Sequence, residues 1–157
     1  MPVNPVPNGF HAITPHLTVR GAAKAIEFYK QAFGAQSLGA MPAPHSDKLM
    51  HATIKIGDSM IMLADDFPEW GSHLPQDPTA TSPVMIHIYT ADTDGMFQRA
   101  VAAGATAVMP PVDMFWGDRY AQLKDPFGHR WSIGTHVKDL SPEEMEAGAK
   151  QAMPANH

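Results

Sequence analysis

The sequence predicts an α+β fold: two tandem βαβββ modules whose mixed sheets cup a cleft, plus a short C-terminal helix. Three observations predict it. A strand, helix and three-strand order occurs twice along the 157 residues. His16 and His87 each fall mid-strand just before a helix, 71 residues apart, and Gly34 and Gly104 each close that helix, 70 apart. The turn at Gly57-Asp58 is matched within a residue or two by Asp125 to Gly128. Repetition at a fixed period describes a whole fold rather than one element. Each four-stranded sheet would have one face covered by its helix and one face bare, and the bare faces must be buried against something.

The elements follow in order, within one domain. Residues 1–11 form a proline-rich arm, 12–66 the first module, 67–83 a loop, 84–137 the second module and 138–157 the helix and tail. Ile13 to Val19 alternates, with Thr14, His16 and Thr18 on one side and Leu17 and Val19 on the other, as in a half-buried strand. Pro15 removes a donor, so this strand lies at an edge or starts irregularly. Ala22 to Phe33 is a helix striped by Ala22, Ile26, Tyr29 and Phe33, with Gly34 as its C-cap. A short strand covers 36–41. Leu49 to Ile56 and Ser59 to Ala64 pair across Gly57-Asp58.

Asp65 to Pro83 carries four prolines and little periodicity, the mark of a long loop. Asp65-Asp66 reads as a solvated strand end. Phe67 and Trp70 read either as a lid over the cleft or as a contact for a partner subunit. In the second module Val84 to Thr90 is a strand. Asp92 to Ala103 is a helix capped by Asp92 or Thr93 and striped by Met96, Phe97, Ala100 and Val101. Thr106 to Met109 is a strand stopped by Pro110-Pro111. Arg119 to Lys124 and Arg130 to Val137 pair across Asp125-Pro126-Phe127-Gly128, a plain turn. Ser141, Pro142 and Glu144 form a capping box that starts a helix reaching about Met153.

Composition narrows the function. Lys plus Arg number 11 and Asp plus Glu 16, a net charge of −5, which argues against a nucleic-acid partner. Charged residues are 17% and apolar residues 44%, a balance that argues against disorder. The absence of cysteine excludes disulfides, thiolate nucleophiles and zinc–thiolate sites. No apolar run approaches the roughly 20 residues of a membrane span, and the N-terminus lacks a signal-peptide pattern. The expectation is a cytoplasmic protein with no membrane partner.

The duplicated pattern resembles the vicinal oxygen chelate superfamily, which holds glyoxalase I, bleomycin- and fosfomycin-resistance proteins and extradiol dioxygenases. The residues that carry the resemblance are Ile13-Thr14-Pro15-His16-Leu17-Thr18-Val19 leading into Ala25-Ile26-Glu27-Phe28-Tyr29, then Ala32-Phe33-Gly34-Ala35, His51-Ala52 and Gly57-Asp58-Ser59. Trp116-Gly117-Asp118-Arg119-Tyr120 and Asp125-Pro126-Phe127-Gly128-His129-Arg130-Trp131-Ser132-Ile133 are similar to a glyoxalase-like branch often labelled 3-demethylubiquinone methyltransferase-like. The resemblance spans roughly residues 12–137. It implies a homodimer. It also implies one divalent metal held by residues on the first and fourth strands of each module, chelating adjacent substrate oxygens. Carried over one at a time, those positions fall at Thr14 and Met85 on the first strands, about Met62 on the fourth strand, and Ser132 four residues after the turn glycine. The superfamily uses His, Glu or Gln there.

His16 and His87 lie two residues beyond the first-strand positions and so on the same faces. They are candidates for a displaced metal site, with His51 as a third member, or for acid–base work near neutral pH. The alternative is that both are hydrogen-bonded polar groups lining a ligand cavity and that His51 makes a structural hydrogen bond. Met60, Met62 and Met85 read either as an adaptable lining for a greasy ligand or as core filling. Trp116, Arg119 and Tyr120 could clamp an aromatic or anionic ligand; otherwise Arg119 is a salt bridge with Asp118 or Asp125. His129, His136 and His157 read as surface residues.

Two functions follow. One is a bleomycin-resistance-like protein that binds a small organic ligand with no cofactor, through His16, His87, Met62, Met85, Trp116, Arg119, Tyr120 and Ser132. The other is a divalent-metal-dependent lyase, isomerase or dioxygenase on a shifted His16, His87 and His51 site. A metal-free enzyme with a histidine base is a weaker third.

Overall fold

Period-two alternation and two apolar helix stripes build the same element order twice. In the computed structural model, which describes residues 2–77, 79–153 and 155, the chain divides into two compact units, Met1–Ala80 and Thr81–His157. The first holds β1 (His16–Val19), α1 (Ala22–Phe33), β2 (Gln36–Pro42), β3 (Leu49–Ile56) and β4 (Ser59–Asp65). The second holds β5 (Met85–Tyr89), α2 (Thr93–Ala103), β6 (Thr106–Asp113), β7 (Asp118–Lys124), β8 (Arg130–His136) and α3 (Pro142–Ala152). Strand order is β1-β4-β3-β2 in one sheet and β5-β8-β7-β6 in the other. In each sheet the first and fourth strands run parallel and the remaining pairs antiparallel.

Alternation sorts each sheet into two faces. Ala52, Ile54 and Ile56 of β3 and Ile61 and Leu63 of β4 are buried, as are Ala25, Ile26, Phe28, Tyr29, Ala32 and Phe33 of α1. In the second unit Ala121, Leu123, Trp131 and Ile133 are buried together with Met96 and Ala100 of α2. Each large side chain so buried contributes about 1.5–3 kcal/mol. The stripe on α2 is narrower than its sequence period suggests, because Val101 is exposed.

Proline placement corrects two element boundaries. β1 starts at His16, not Ile13: Pro15 has no N–H, though its carbonyl accepts from the Met62 amide at 2.9 Å. β1 is an edge strand, as Pro15 requires. β6 does not stop at Met109 but runs through Pro110-Pro111 to Asp113. It too is an edge strand, and the two prolines fall in a register shift between Met109 and Val112, where no ladder donor is needed.

The acidic pair at the end of β4 is a further correction: Asp65 and Asp66 are buried, not solvated. Asp65 Oδ1 accepts from the Gly21 and Ala22 amides at 2.8 and 3.0 Å, and Oδ2 from the Leu49 amide at 2.7 Å. It thus caps α1, whose own N-cap residue, Gly21, offers no side chain. In the second module Asp92 itself caps α2, its Oδ1 accepting from the Gly95 amide at 2.9 Å, and Thr135 Oγ1 adds an acceptor for the Thr93 amide. Asp66 takes hydrogen bonds from Ser72 Oγ at 2.6 Å and the His73 amide at 3.2 Å, which tie down the following loop. These bonds hold the Asp66 carboxyl below its usual range.

The Asp-Pro-Phe-Gly turn is also more than a turn. Asp125 is buried; its Oδ1 accepts from the Phe127 and His129 amides, both at 2.9 Å, and Oδ2 from Trp131 Nε1 at 2.8 Å. The capping box of α3 is present, with Ser141 and Glu144 bonding each other's backbone amides. Among the described residues no helix is long and apolar enough to cross a membrane.

Candidate functional site

On the second sheet, the face away from α2 is set by the register of β5 against β8, which puts His87 opposite Ser132. Alternation adds Met85 and Tyr89 from β5, Gly134 from β8, and Tyr120 and Gln122 from β7. His87 Nδ1 and Ser132 Oγ share a 2.7 Å hydrogen bond, and Ser132 is buried, so the ring is anchored. The imidazole lies over Gly134, where a Cβ would come within 2.9 Å of Cε1 and 3.1 Å of Nε2. Partial desolvation of the ring against the sheet holds the His87 pKa below its ordinary value, against an upward pull from Asp118, so the ring is mostly neutral at pH 7. Tyr120 Oη accepts from Gln122 Nε2 at 3.1 Å and donates to Met85 Sδ at 3.7 Å.

Aromatic rings adjoin along this face. Tyr89 meets His87 edge-on at 4.5 Å, His87 lies near-parallel to Tyr120 at 6.0 Å, and Trp116 meets Tyr120 edge-on at 5.3 Å. Trp116 is fixed by its Nε1 donating to Asp118 Oδ2 at 3.1 Å. The other oxygen of this buried carboxylate bonds His136 Nδ1 at 2.8 Å, and His136 Nε2 bonds Asp139 at 2.8 Å. The two carboxylates raise the His136 pKa, Asp139 most strongly. Gly117 makes this corner possible: its φ is +97°, and a Cβ there would run into the Lys138 carbonyl.

Arg119 does not join these residues. It is one step out of phase on β7, and its guanidinium turns to the helix side. There Nε and Nη2 hold Asp94 at 3.0 and 3.1 Å and Nη1 holds Asp113 at 3.3 Å. Its partners are therefore Asp94 and Asp113, not Asp118 or Asp125.

In the first sheet the register repeats: His16 stands opposite Met62 across the parallel β1–β4 pair. A thioether replaces the hydroxyl. The His16 ring instead lies 6.0 Å from His51, so His51 shares its face, and His51 Nε2 shares a 3.3 Å hydrogen bond with Thr53 Oγ1. Burial, then the electrostatic influence of His51 and His73, holds the His16 pKa below its ordinary value. Met60 and Met62 are half-buried on this face, and Thr14 precedes the strand. His129 is half-buried, its amide bound by Asp125, and His136 is exposed but paired as above. His157 lies outside the described residues.

The family model of the Glyoxalase/Bleomycin resistance protein/Dioxygenase superfamily matches residues 9–133. The chain belongs to this superfamily. It is similar to an uncharacterized protein of Mycobacterium bovis, 45% identical over 138 residues, 87% of this chain and 90% of the relative. An uncharacterized Mycobacterium tuberculosis protein is equally similar, with 81% of its length covered. Among solved structures, an Arabidopsis thaliana gene product aligns with a TM-score of 0.63 at 24% identity, over 79% of this chain and 98% of that one. A Bacillus cereus PhnB protein, described as a putative 3-demethylubiquinone-9 3-methyltransferase, aligns at 0.60 and 16%, over 80% and 99%. TioX from Micromonospora sp. ML1 aligns at 0.58 and 23%, over 80% and 100%. These structural likenesses concern the fold.

The positions that the resemblance implies for a metal hold Thr14, about Met62, Met85 and Ser132. Two hydroxyls and two thioethers are poor donors for a borderline divalent ion. Ser132 is engaged by His87 and Met85 by Tyr120. The donor set does not fit the metal. Among the described residues no three His, Asp or Glu side chains are grouped to hold an ion.

Sequence reasoning missed Gly134, Gln122, Tyr89 and the Asp118–His136 pair. Tyr89 carried a usable signal, since it lies two residues past His87 and therefore on the same face. Gly134 carried a weaker one, as a glycine inside a strand marks a close approach.

Proposed function

We propose that this superfamily member binds a small organic ligand on the bare face of its second module without a metal ion. The observation that supports the reading is the 2.7 Å bond between Ser132 Oγ and His87 Nδ1, at a position where the resemblance implies a metal ligand. Around that pair stand Met85, Tyr89, Trp116 and Tyr120, an apolar surface with few polar points, as small-molecule sites have. The methionines supply an adaptable lining. His87 is a binding group in this account, and Arg119 a structural one. The protein works as a cytoplasmic homodimer; the exposed Leu38 and Met41 on edge strand β2 support pairing.

Thermal unfolding of the protein with a panel of small organic compounds in buffer containing EDTA tests the reading. A compound that binds the native state raises the melting temperature. Protection in metal-free buffer supports the proposal, and protection that appears only after a divalent metal is added contradicts it.

A further inference from the structure

We infer that the second-module face takes a flat, uncharged aromatic molecule with one hydrogen-bonding group, stacked on the ring run and bound through His87 Nε2. The inference rests on the metal-free reading above and names the chemistry of the occupant.

The ring run is the first argument. Tyr89, His87, Tyr120, Trp116 and Phe115 adjoin in sequence, with centroids 4.5, 6.0, 5.3 and 5.2 Å apart. His87 and Tyr120 are tilted only 16° from parallel. Offset-stacked and edge-on contacts favour an aromatic guest over an aliphatic one of equal size.

The hydrogen-bond inventory is the second. Tyr120 Oη is occupied on both sides, by Gln122 and Met85. Ser132 Oγ is occupied by His87 Nδ1. His87 Nε2, in the middle of the run, has no partner among the described residues. It can give or accept one hydrogen bond, according to the tautomer that Ser132 selects. A single polar group on the guest satisfies it.

Charge is the third. The Asp118 carboxylate is taken up by Trp116 and His136, and the nearby imidazole is mostly neutral. Arg130 at the edge donates to the Ser82 carbonyl, and Arg119 is turned to the helix side. Lys124 and Arg130 stand at the edge of the face, and among the described residues its centre offers a charged guest no counter-ion.

Gly134 is a positioning residue in this arrangement. Its missing Cβ leaves the space in which the His87 ring lies.

The test is calorimetric titration in EDTA buffer with three probes: 2-naphthol, its saturated analogue decahydro-2-naphthol, and naphthalene. We expect 2-naphthol to bind about tenfold more tightly than either of the others. His87→Ala should abolish the preference for 2-naphthol over naphthalene, weakening naphthalene only by the loss of one ring of the run and 2-naphthol by the loss of the hydrogen bond as well. Gly134→Ala should have the same effect by displacing the ring. Because the His87 side chain is exposed, H87A is not expected to cost the fold, and its melting curve checks this. If decahydro-2-naphthol binds as tightly as 2-naphthol without metal, the aromatic inference falls and the metal-free reading stands. An unchanged preference for the hydroxyl in H87A also overturns the inference. If all three probes bind only after metal addition, both fall.

Discussion

His87 and Ser132 face each other across the parallel β5–β8 pair with Nδ1 and Oγ 2.7 Å apart. Their counterparts His16 and Met62 keep the same register in the first module, but a thioether stands where the hydroxyl would be. One backbone plan thus carries two chemistries: a histidine fixed by serine, and a histidine facing another histidine.

Ser132→Ala removes the anchor. It should lower stability by about 1 kcal/mol, the net worth of a typical hydrogen bond. More tellingly, it should release the tautomer of His87, changing the ring nitrogen shifts in long-range nitrogen–proton spectra. Unaltered shifts would mean that Ser132 does not hold the ring.

The histidines act in opposite directions on pH stability. His16 and His87 have pKa values lowered from the usual 6.5, so below that value the unfolded chain binds more protons and stability rises with pH. His136 is raised above 6.5, so its contribution is complete below 6.5 and is lost as pH rises through its folded value. The contribution of these three groups therefore rises with pH below 6.5 and falls above it. Urea midpoints between about pH 5 and 8 should show His136→Asn abolishing the decline on the alkaline side. A decline that persists in this variant would assign it to another group.

Asp65 joins three elements: it caps α1 and holds the Leu49 amide at the head of β3. Asp65→Ala removes a cap and orphans a buried amide, a combined cost of about 3 kcal/mol. Thr135→Val removes the acceptor of the Thr93 amide and the donor to the Thr90 carbonyl but leaves Asp92 capping α2, and should cost about 1–2 kcal/mol. Equal shifts in urea midpoint would contradict this ranking.

Asp125 and Trp131 form a coupled pair. Trp131→Phe removes the indole donor to the buried Asp125 Oδ2, and Asp125→Ala removes the acceptor of that indole and of the Phe127 and His129 amides. Each should cost about 2–4 kcal/mol, and the double variant should cost less than the sum. Strict additivity in a double-mutant cycle would show the pair to be independent.

Much of the fold was legible because it lies in local patterns: the repeat of His16 with His87, the helix stripe of Ala22 to Phe33, and the capping box at Ser141. What was not legible depends on register and on partners distant in sequence. Asp65 looks solvated beside a loop, and only the fold shows that three amides converge on it. Pro110-Pro111 looks like a stop, but an edge strand tolerates it. The face of His51 was undecidable until β3 was paired, and Arg119 sits beside two site aromatics in sequence while pointing to the opposite face. Of the candidate site, His87, Ser132, Met85, Trp116 and Tyr120 gather on the second sheet, while His16 and Met62 gather on the first.

The central claim is that this superfamily member works without a metal ion. Elemental analysis of untagged protein, before and after dialysis against Ni²⁺, Zn²⁺, Mn²⁺ and Fe²⁺, tests it most directly. The account predicts no ion above background in either sample. Close to one tightly held ion per chain, lost in a His16→Ala, His87→Ala variant, would contradict it.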